Sequence, residues 1–154
     1  MSATEIPEGN VGNLTAEQEV SLRQFWGTIF KLYDLYDSKD PQIQAAIKNC
    51  AAQAAAPAQK SRFGLFGGGK KASADDINAT ALIEKHLELG AADENDKFGL
   101  RKQFMEMLGK HSADSARNMI TEAVKHDHPD ALALRFLRAR KWEVDKGIIM
   151  MVAE

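Results

Sequence analysis

The sequence predicts an all-α protein, a small irregular bundle of about six helices, from two observations. Apolar residues recur at spacings of three and four along most of the chain, and no segment shows the period-two alternation of a half-buried strand. The 154 residues, 44% of them hydrophobic, are enough to fill one modest core. We expect a disordered tail at residues 1–13, N-terminal helices at 14–56, a flexible Gly/Lys-rich linker at 57–73 and a second helical module at 74–154.

The first predicted helix carries the strongest periodic signal in the chain. Thr15 and Gln18 have the spacing of a capping box, in which each side chain satisfies a free backbone N–H at the helix start. One arc of the helical wheel then holds the apolar and aromatic residues Leu22, Phe25, Trp26, Ile29, Phe30, Leu32, Tyr33 and Tyr36. We interpret this arc as a core-facing surface rather than a ligand box.

The second predicted helix looks short and weakly held. Asp40 followed by Pro41 resembles a helix cap with a first-turn proline, and the alanine-rich run at 42–56 offers little to bury. Cys50, the one cysteine of the chain, excludes an intrachain disulfide and indicates a reducing compartment such as the cytosol. We expect Cys50 to be a buried, inert thiol.

Turn and cap residues divide the rest of the chain into further helices. We expect a helix over 75–89 closed by a left-handed cap at Gly90, and a second that begins near Asp96 and stops at Gly109. Ser112 or Asp114 caps the next helix. A break at 127–129 precedes a helix that ends near residue 141, and the last helix spans 144–152.

The predicted linker contains an incomplete match to a nucleotide-binding motif. Residues 64–70 match the first seven positions of a phosphate-binding P-loop, but Lys71 stands where Ser or Thr should hold magnesium, and no buried strand precedes the loop. We therefore expect a solvated basic linker. The alternative is contact with an anionic bilayer, in which Phe63 and Phe66 insert and the neighbouring cations, among them Lys70 and Lys71, bind lipid phosphates.

No constellation of residues points to catalysis, a cofactor or a metal. The four histidines, His86, His111, His126 and His128, lack metal-ligand spacing, and no Ser/His/Asp or Cys/His arrangement is apparent. The net charge of −2 gives no broad attraction to nucleic acid. Neither a signal peptide nor a run of about 18 apolar residues occurs. We expect a non-enzymatic, cytoplasmic protein, with any peripheral membrane contact made by the linker.

The residue pattern of the helix at 129–141 predicts packing on two sides. One arc of its wheel carries Leu132, Ala133, Phe136, Leu137 and Ala139. Arg135, Arg138 and Lys141 form a basic stripe on the other side, and Leu134 lies within that stripe. Because a purely solvated basic face has no need of a leucine, we expect Leu134 to face a second surface that this chain does not supply.

Residues 130–146, reading DALALRFLRARKWEVDK, closely resemble the N-terminal helical signature of CRAL-TRIO lipid-transfer proteins, most of all the fungal phosphatidylinositol-transfer kind. Gly147 stands where alanine is commoner in that family. The resemblance implies that these helices bracket a separate α/β lobe, which holds the lipid. The residues that carry over as structural bracket residues are Leu134, Arg135, Phe136, Leu137, Arg138, Arg140, Lys141 and Trp142.

The resemblance also sets an expectation for the partner. Phospholipid would be bound through the downstream lobe, before which this chain looks truncated, so we expect no specific phospholipid binding by residues 1–154 themselves. The alternative is a free-standing helical module that docks another protein through Leu134 and the basic stripe.

Overall fold

The computed structural model describes residues 5–55, 74–90 and 99–153, and within these ranges it consists of seven α-helices. They are α1 (Ala16–Asp37), α2 (Pro41–Ala55), α3 (Ala74–Leu87), α4 (Leu100–Lys110), α5 (Ala113–Lys125), α6 (Pro129–Ala139) and α7 (Val144–Ala153). These ranges contain no β-strand, only an isolated bridge between Asn10 and Asn13. The all-α prediction is confirmed. The predicted linker at 57–73 lies outside the described residues.

Helix α1 begins with the predicted capping box. The backbone N–H of Gln18 donates to Thr15 Oγ1 at 3.3 Å, and the N–H of Thr15 donates to Gln18 Oε1 at 3.0 Å. Phe25 and Ile29 of the predicted arc are buried, but Phe30 is 61% exposed. The prediction for Phe30 was wrong because the neighbouring helices cover only the side of α1 that carries Phe25 and Ile29.

Helix α2 buries more than its composition indicated. The predicted start is confirmed, since the N–H of Gln42 donates to Asp40 Oδ1 at 2.8 Å. Ile43 and Ile47 are buried, and α2 packs on both α3 and α4, so the expectation of little to bury was wrong. Small alanines allow this close packing. Cys50 is buried as predicted, and burial raises the pKa of its thiol.

Two predicted helix ends differ from the observed ones. Helix α3 closes on Glu88, which has φ +53°, with hydrogen bonds from Leu89 N to Glu84 O at 3.0 Å and from Glu88 N to Lys85 O. This Schellman motif places the left-handed residue two positions before the predicted Gly90. Helix α4 likewise runs through Gly109 to Lys110, whereas the cap predicted at Ser112 is confirmed.

The hydrophobic core lies among all seven helices, with α1 packed against α3, α5, α6 and α7 and with α4 between α2 and α7. Its largest fully buried side chains are Phe25, Ile29, Leu32, Leu35, Ile83, Leu87, Phe104, Leu108, Leu134, Leu137 and Ile148. Both parts of the chain on either side of residues 57–73 contribute to this core.

A nearly buried arginine ties three elements together at the edge of the core. Arg101 of α4 is 13% exposed, and its guanidinium lies 2.9 Å from Glu84 Oε1 and 3.5 Å from Asp145 Oδ2. It also donates to the carbonyl of Gly90 at 2.9 Å. Because a buried cation needs charged and polar partners, this cluster fixes the end of α3 and the start of α7 relative to α4.

Residues 5–13, part of the predicted disordered tail, are ordered against the helices. The N–H of Gly9 donates to Asn13 O at 2.8 Å, and the Asn13 side chain donates to Ile6 O at 2.7 Å. Gly9 and Gly12 both have positive φ, which allows the chain to turn tightly. Hydrogen bonds rather than apolar burial hold this segment, which is why hydrophobicity alone did not reveal it. We call residues 6–13 the N-terminal strap.

Candidate functional site

The signature residues 134–142 form the second half of α6 and the turn into α7, which we call the motif corner. The helix begins where the sequence predicted, because His128 Nδ1 accepts from Asp130 N and Pro129 occupies the first turn. Within the corner, the apolar side chains of Leu134, Phe136 and Leu137 are buried. The cations project outward, so the motif divides into an internal apolar half and an external basic half.

Leu134 does not face a free surface. Its side chain is fully buried at 0% exposure, because α1, α5 and α7 all pack against α6 and enclose it. The expectation that Leu134 contacts a surface absent from this chain was therefore wrong. The wheel placed Leu134 correctly near the basic stripe, but a helix enclosed by three neighbours buries more than one arc. This also removes the apolar part of the argument for a free-standing interaction module.

The turn between α6 and α7 has an unusual backbone. Lys141 has φ +53° and Trp142 has φ +67°, and neither is a glycine. The N–H of Trp142 donates to Leu137 O at 2.7 Å and that of Lys141 donates to Arg138 O at 3.3 Å, which together make a Schellman motif. Left-handed conformations are costly for residues with a side chain, so the surrounding contacts must hold this corner in place.

The arginines of the motif corner differ from the other described arginines in their partners. Arg138 donates to the carbonyl of Gly9 at 2.9 Å and to Asn10 Oδ1, both of which are neutral. Arg140 contacts Met150 Sδ at 3.1 Å, and the Arg135 guanidinium lies 5.0 Å from the centroid of the Phe136 ring.

No arginine of the motif corner has a carboxylate partner within the described ranges. Arg23, Arg101 and Arg117, by contrast, all form ion pairs with carboxylates. The corner therefore presents positive charge that its own surroundings do not neutralise.

A cleft of about 430 Å³ borders the motif corner. It lies between α1, the end of α3 and the start of α7, and its lining is Gln24, Gly27, Thr28, Lys31, Glu88, Leu89, Gly90, Trp142, Val144 and Asp145. The charges in the lining are paired, since Lys31 Nζ lies 2.5 Å from Glu88 Oε2 and Asp145 contacts Arg101. Trp142 supplies the aromatic wall. The sequence did not predict this cleft, because its lining residues come from three distant segments.

The other features considered in the sequence are metal ligands, histidines and membrane-spanning segments. No group of three or more His, Cys, Asp or Glu side chains there could hold a metal ion. His111 Nδ1 hydrogen bonds with Ser115 Oγ at 2.8 Å, while His126 and His128 are exposed. No described helix has both the length and the apolar character to cross a bilayer. Phe63, Phe66, Lys70 and Lys71 lie outside the described residues.

Comparison with known proteins places the motif corner in a family. Residues 99–153, which span α4 to α7, match the family model described as CRAL/TRIO, N-terminal domain. The phosphatidylinositol transfer protein CSR1 of Eremothecium gossypii is 31% identical over 98% of this chain and 36% of its own length. The CRAL-TRIO domain-containing protein C3H8.02 of Schizosaccharomyces pombe is 23% identical over 96% of this chain and 33% of its own. No solved structure matches the chain significantly.

These matches define α4 to α7 as a CRAL/TRIO N-terminal domain. The match confirms the resemblance to CRAL-TRIO proteins that the signature at residues 130–146 predicted. It spans about a third of the length of the curated relatives it matches. The relative from Eremothecium gossypii aligns with nearly the whole chain, so the similarity extends well beyond the signature into the N-terminal helices.

Proposed function

We propose that this chain is the N-terminal helical module of a phospholipid-transfer protein, with a phosphatidylinositol-like lipid as the cargo. The observation that carries the proposal is the alignment, over 98% of the chain, with a relative named as a phosphatidylinositol transfer protein. In this proposal the module has no catalytic role and brackets an α/β lobe that binds the lipid.

The architecture of the module supports a bracketing role rather than a lipid-binding one. The core is filled by side chains, and half of the residues that line the described cleft are polar or charged. Sites for lipophilic ligands are mostly apolar and enclose most of the ligand surface. A diacyl lipid therefore does not match this cleft, and in the proposal the lobe takes it up.

The exposed half of the motif corner is the part available to position the lobe. Leu134, Phe136 and Leu137 are buried within the module, and Arg138 is engaged by the N-terminal strap. Arg135 and Lys141 are exposed and have no carboxylate partner in the described ranges. We assign to these two cations the contact with acidic or carbonyl groups of the lobe.

The proposal is tested with a polypeptide extended past Glu154 by the sequence encoded downstream. We expect this polypeptide to move fluorescent phosphatidylinositol between vesicles, whereas residues 1–154 alone should neither transfer nor bind the lipid. Replacing Arg135 and Lys141 together by glutamine should lower transfer. Arg23→Gln, an exposed charge removal on α1, is the matched control and should not. Absence of phospholipid binding by the extended polypeptide would refute the proposal.

We also propose that the segment at 57–73 contacts anionic membranes through Phe63, Phe66, Lys70 and Lys71. The support is the sequence alone, which combines two aromatic side chains with four cations and no acidic residue. Replacement of these four residues by serine should reduce binding of the chain to vesicles that contain phosphatidylserine. Unchanged binding would remove this part of the proposal.

A further inference from the structure

The N-terminal strap binds directly to the motif corner. Arg138 Nη1 donates to Gly9 O at 2.9 Å and also to the Asn10 side chain, across more than 120 residues of sequence. Gly9 is buried, and a Cβ added there would lie 3.2 Å from Trp142 Cζ2 and 3.4 Å from Arg138 Cδ. A side chain at this position would require the Trp142 ring to shift slightly and would be strained by the φ of +83°, which favours glycine.

The corner to which the strap binds stores backbone strain. Lys141 and Trp142 are successive non-glycine residues with positive φ. Such conformations persist where surrounding contacts over-determine them, and they are found at segments that switch between arrangements. One contact partner of this strained pair is the strap itself, through Gly9 against the Trp142 ring. The strap is therefore positioned to hold Trp142 in its observed conformation.

Trp142 connects the strap to the cleft. Its ring lies beside Gly9, and the same residue lines the cleft beside Lys31 and Asp145. A change in the conformation of Trp142 would alter the cleft wall and the angle at which α7 leaves α6. Through Trp142, the conformation of the strap is therefore coupled to that of the α6–α7 turn and to the shape of the cleft.

We propose that the N-terminal strap is a releasable clamp that holds the strained α6–α7 corner, and that its release moves Trp142 and opens the adjoining cleft. This regulatory role goes beyond the bracketing function proposed above and does not depend on it. The strap is suited to release without unfolding, because Ile6 and Val11 are 48% and 40% exposed and few apolar groups anchor it. Its side-chain hydrogen bonds to the helices come from Arg138 and, through Glu8, from Gln18 of α1, and Arg138 is the anchor at the corner.

Hydrogen exchange on the full 154-residue chain tests the clamp. Arg138→Gln should accelerate exchange at residues 5–14 and at residues 139–147 by about tenfold, because removal of a charged hydrogen-bond donor weakens both ends of the contact. Exchange within α4 should stay unchanged. Arg135→Gln removes the same charge one turn earlier, where no strap contact exists, and should change neither segment.

The outcomes separate the clamp from a purely structural contact. Faster exchange at 5–14 with an unchanged corner would show that the strap does not hold the corner, and equal behaviour of the two glutamine variants would show that Arg138 does not anchor the strap. Acceleration in all three segments would indicate loss of the core instead. Each of these results overturns the proposal.

A second variant tests the strain directly and does not disturb the strap. Lys141→Gly replaces an exposed residue at a left-handed position that favours glycine. We expect slower exchange at 139–147 in this variant, and a smaller effect of Arg138→Gln when the two changes are combined. If Lys141→Gly leaves the effect of Arg138→Gln undiminished, the strap does not act on a strained corner, and the proposal fails.

Discussion

The indole N–H of Trp26 donates a 2.9 Å hydrogen bond to Asp130 Oδ1, which joins the middle of α1 to the first turn of α6. The two residues are 104 positions apart, and Asp130 is the first residue of the family signature. The same carboxylate lies at the N-terminus of α6, where the helix dipole favours negative charge. This bond connects the N-terminal helices to the CRAL/TRIO N-terminal domain.

Trp26→Phe should lower the free energy of unfolding by about 1–2 kcal/mol, because the partly buried Asp130 carboxylate loses its donor. Urea denaturation followed by circular dichroism measures the change. A double-mutant cycle with Asp130→Ala should give a coupling energy of about 1 kcal/mol. A coupling energy near zero would mean that the bond does not hold α1 to α6.

Leu134→Ala should lower the free energy of unfolding by about 2–5 kcal/mol, because it opens a cavity among α1, α5, α6 and α7. Phe30→Ala is the control, since Phe30 is a larger residue but 61% exposed, and its change should stay within about 0.5 kcal/mol. Thermal denaturation of the two variants compares them directly. Equal, small effects would contradict the burial of Leu134.

Gly147→Ala should stabilise the chain by up to about 1 kcal/mol through the higher helix propensity of alanine. The added Cβ would lie 3.4 Å from Phe25 Cε2 and 3.7 Å from Leu137 Cδ2, which are ordinary contacts. Gly147→Leu should instead cost about 1–3 kcal/mol, because the larger side chain cannot be accommodated at this packed position. Melting temperatures that fall for both variants would show that α7 tolerates no side chain at this position.

Tyr36 should make the chain less stable at alkaline pH. Burial raises its pKa from 10.0 to about 12, with a smaller contribution from the nearby Cys50 thiolate. Since the folded state keeps this proton where the unfolded state loses it, the stabilisation is full below pH 10 and is lost as the pH rises towards 12. The hydroxyl also donates to Leu108 O at 2.9 Å.

The measurement for Tyr36 is the free energy of unfolding as a function of pH, for the unmodified chain and for Tyr36→Phe. The variant should lose stability less steeply between pH 10 and 12. Ultraviolet titration should show that the tyrosine with the highest pKa is missing from the variant. An unchanged slope would mean that another group controls the alkaline transition.

Local sequence signals predicted much of this fold. The capping box at Thr15 and Gln18, the cap at Ser112 and the helix start at Asp40 and Pro41 all formed as expected. Each signal acts within about four residues, so its free energy depends little on the rest of the chain. The signature at 130–146 likewise predicted the family resemblance, because a short motif can be recognised without any knowledge of packing.

The local sequence did not predict the end of α3, because more than one residue there could adopt the left-handed cap conformation. Gly90 was a reasonable left-handed cap, yet Glu88 occupies that position, and Gly90 instead supplies a carbonyl to Arg101. Arg101 of α4 contacts both Glu84 in the last turn of α3 and the carbonyl of Gly90. Helix-end prediction therefore depended on a partner from α4, which the local sequence does not contain.

The sequence by itself determined the helical class, most helix starts, the buried state of Cys50 and the resemblance to CRAL-TRIO proteins. Only the tertiary structure decided that Leu134 is enclosed, that Phe30 is exposed and that the strap binds Arg138 and Trp142. The physical reason is the range of the interactions. Caps and helical periodicity act between residues a few positions apart, whereas burial and the Gly9–Arg138 contact depend on which distant segments meet when the chain folds.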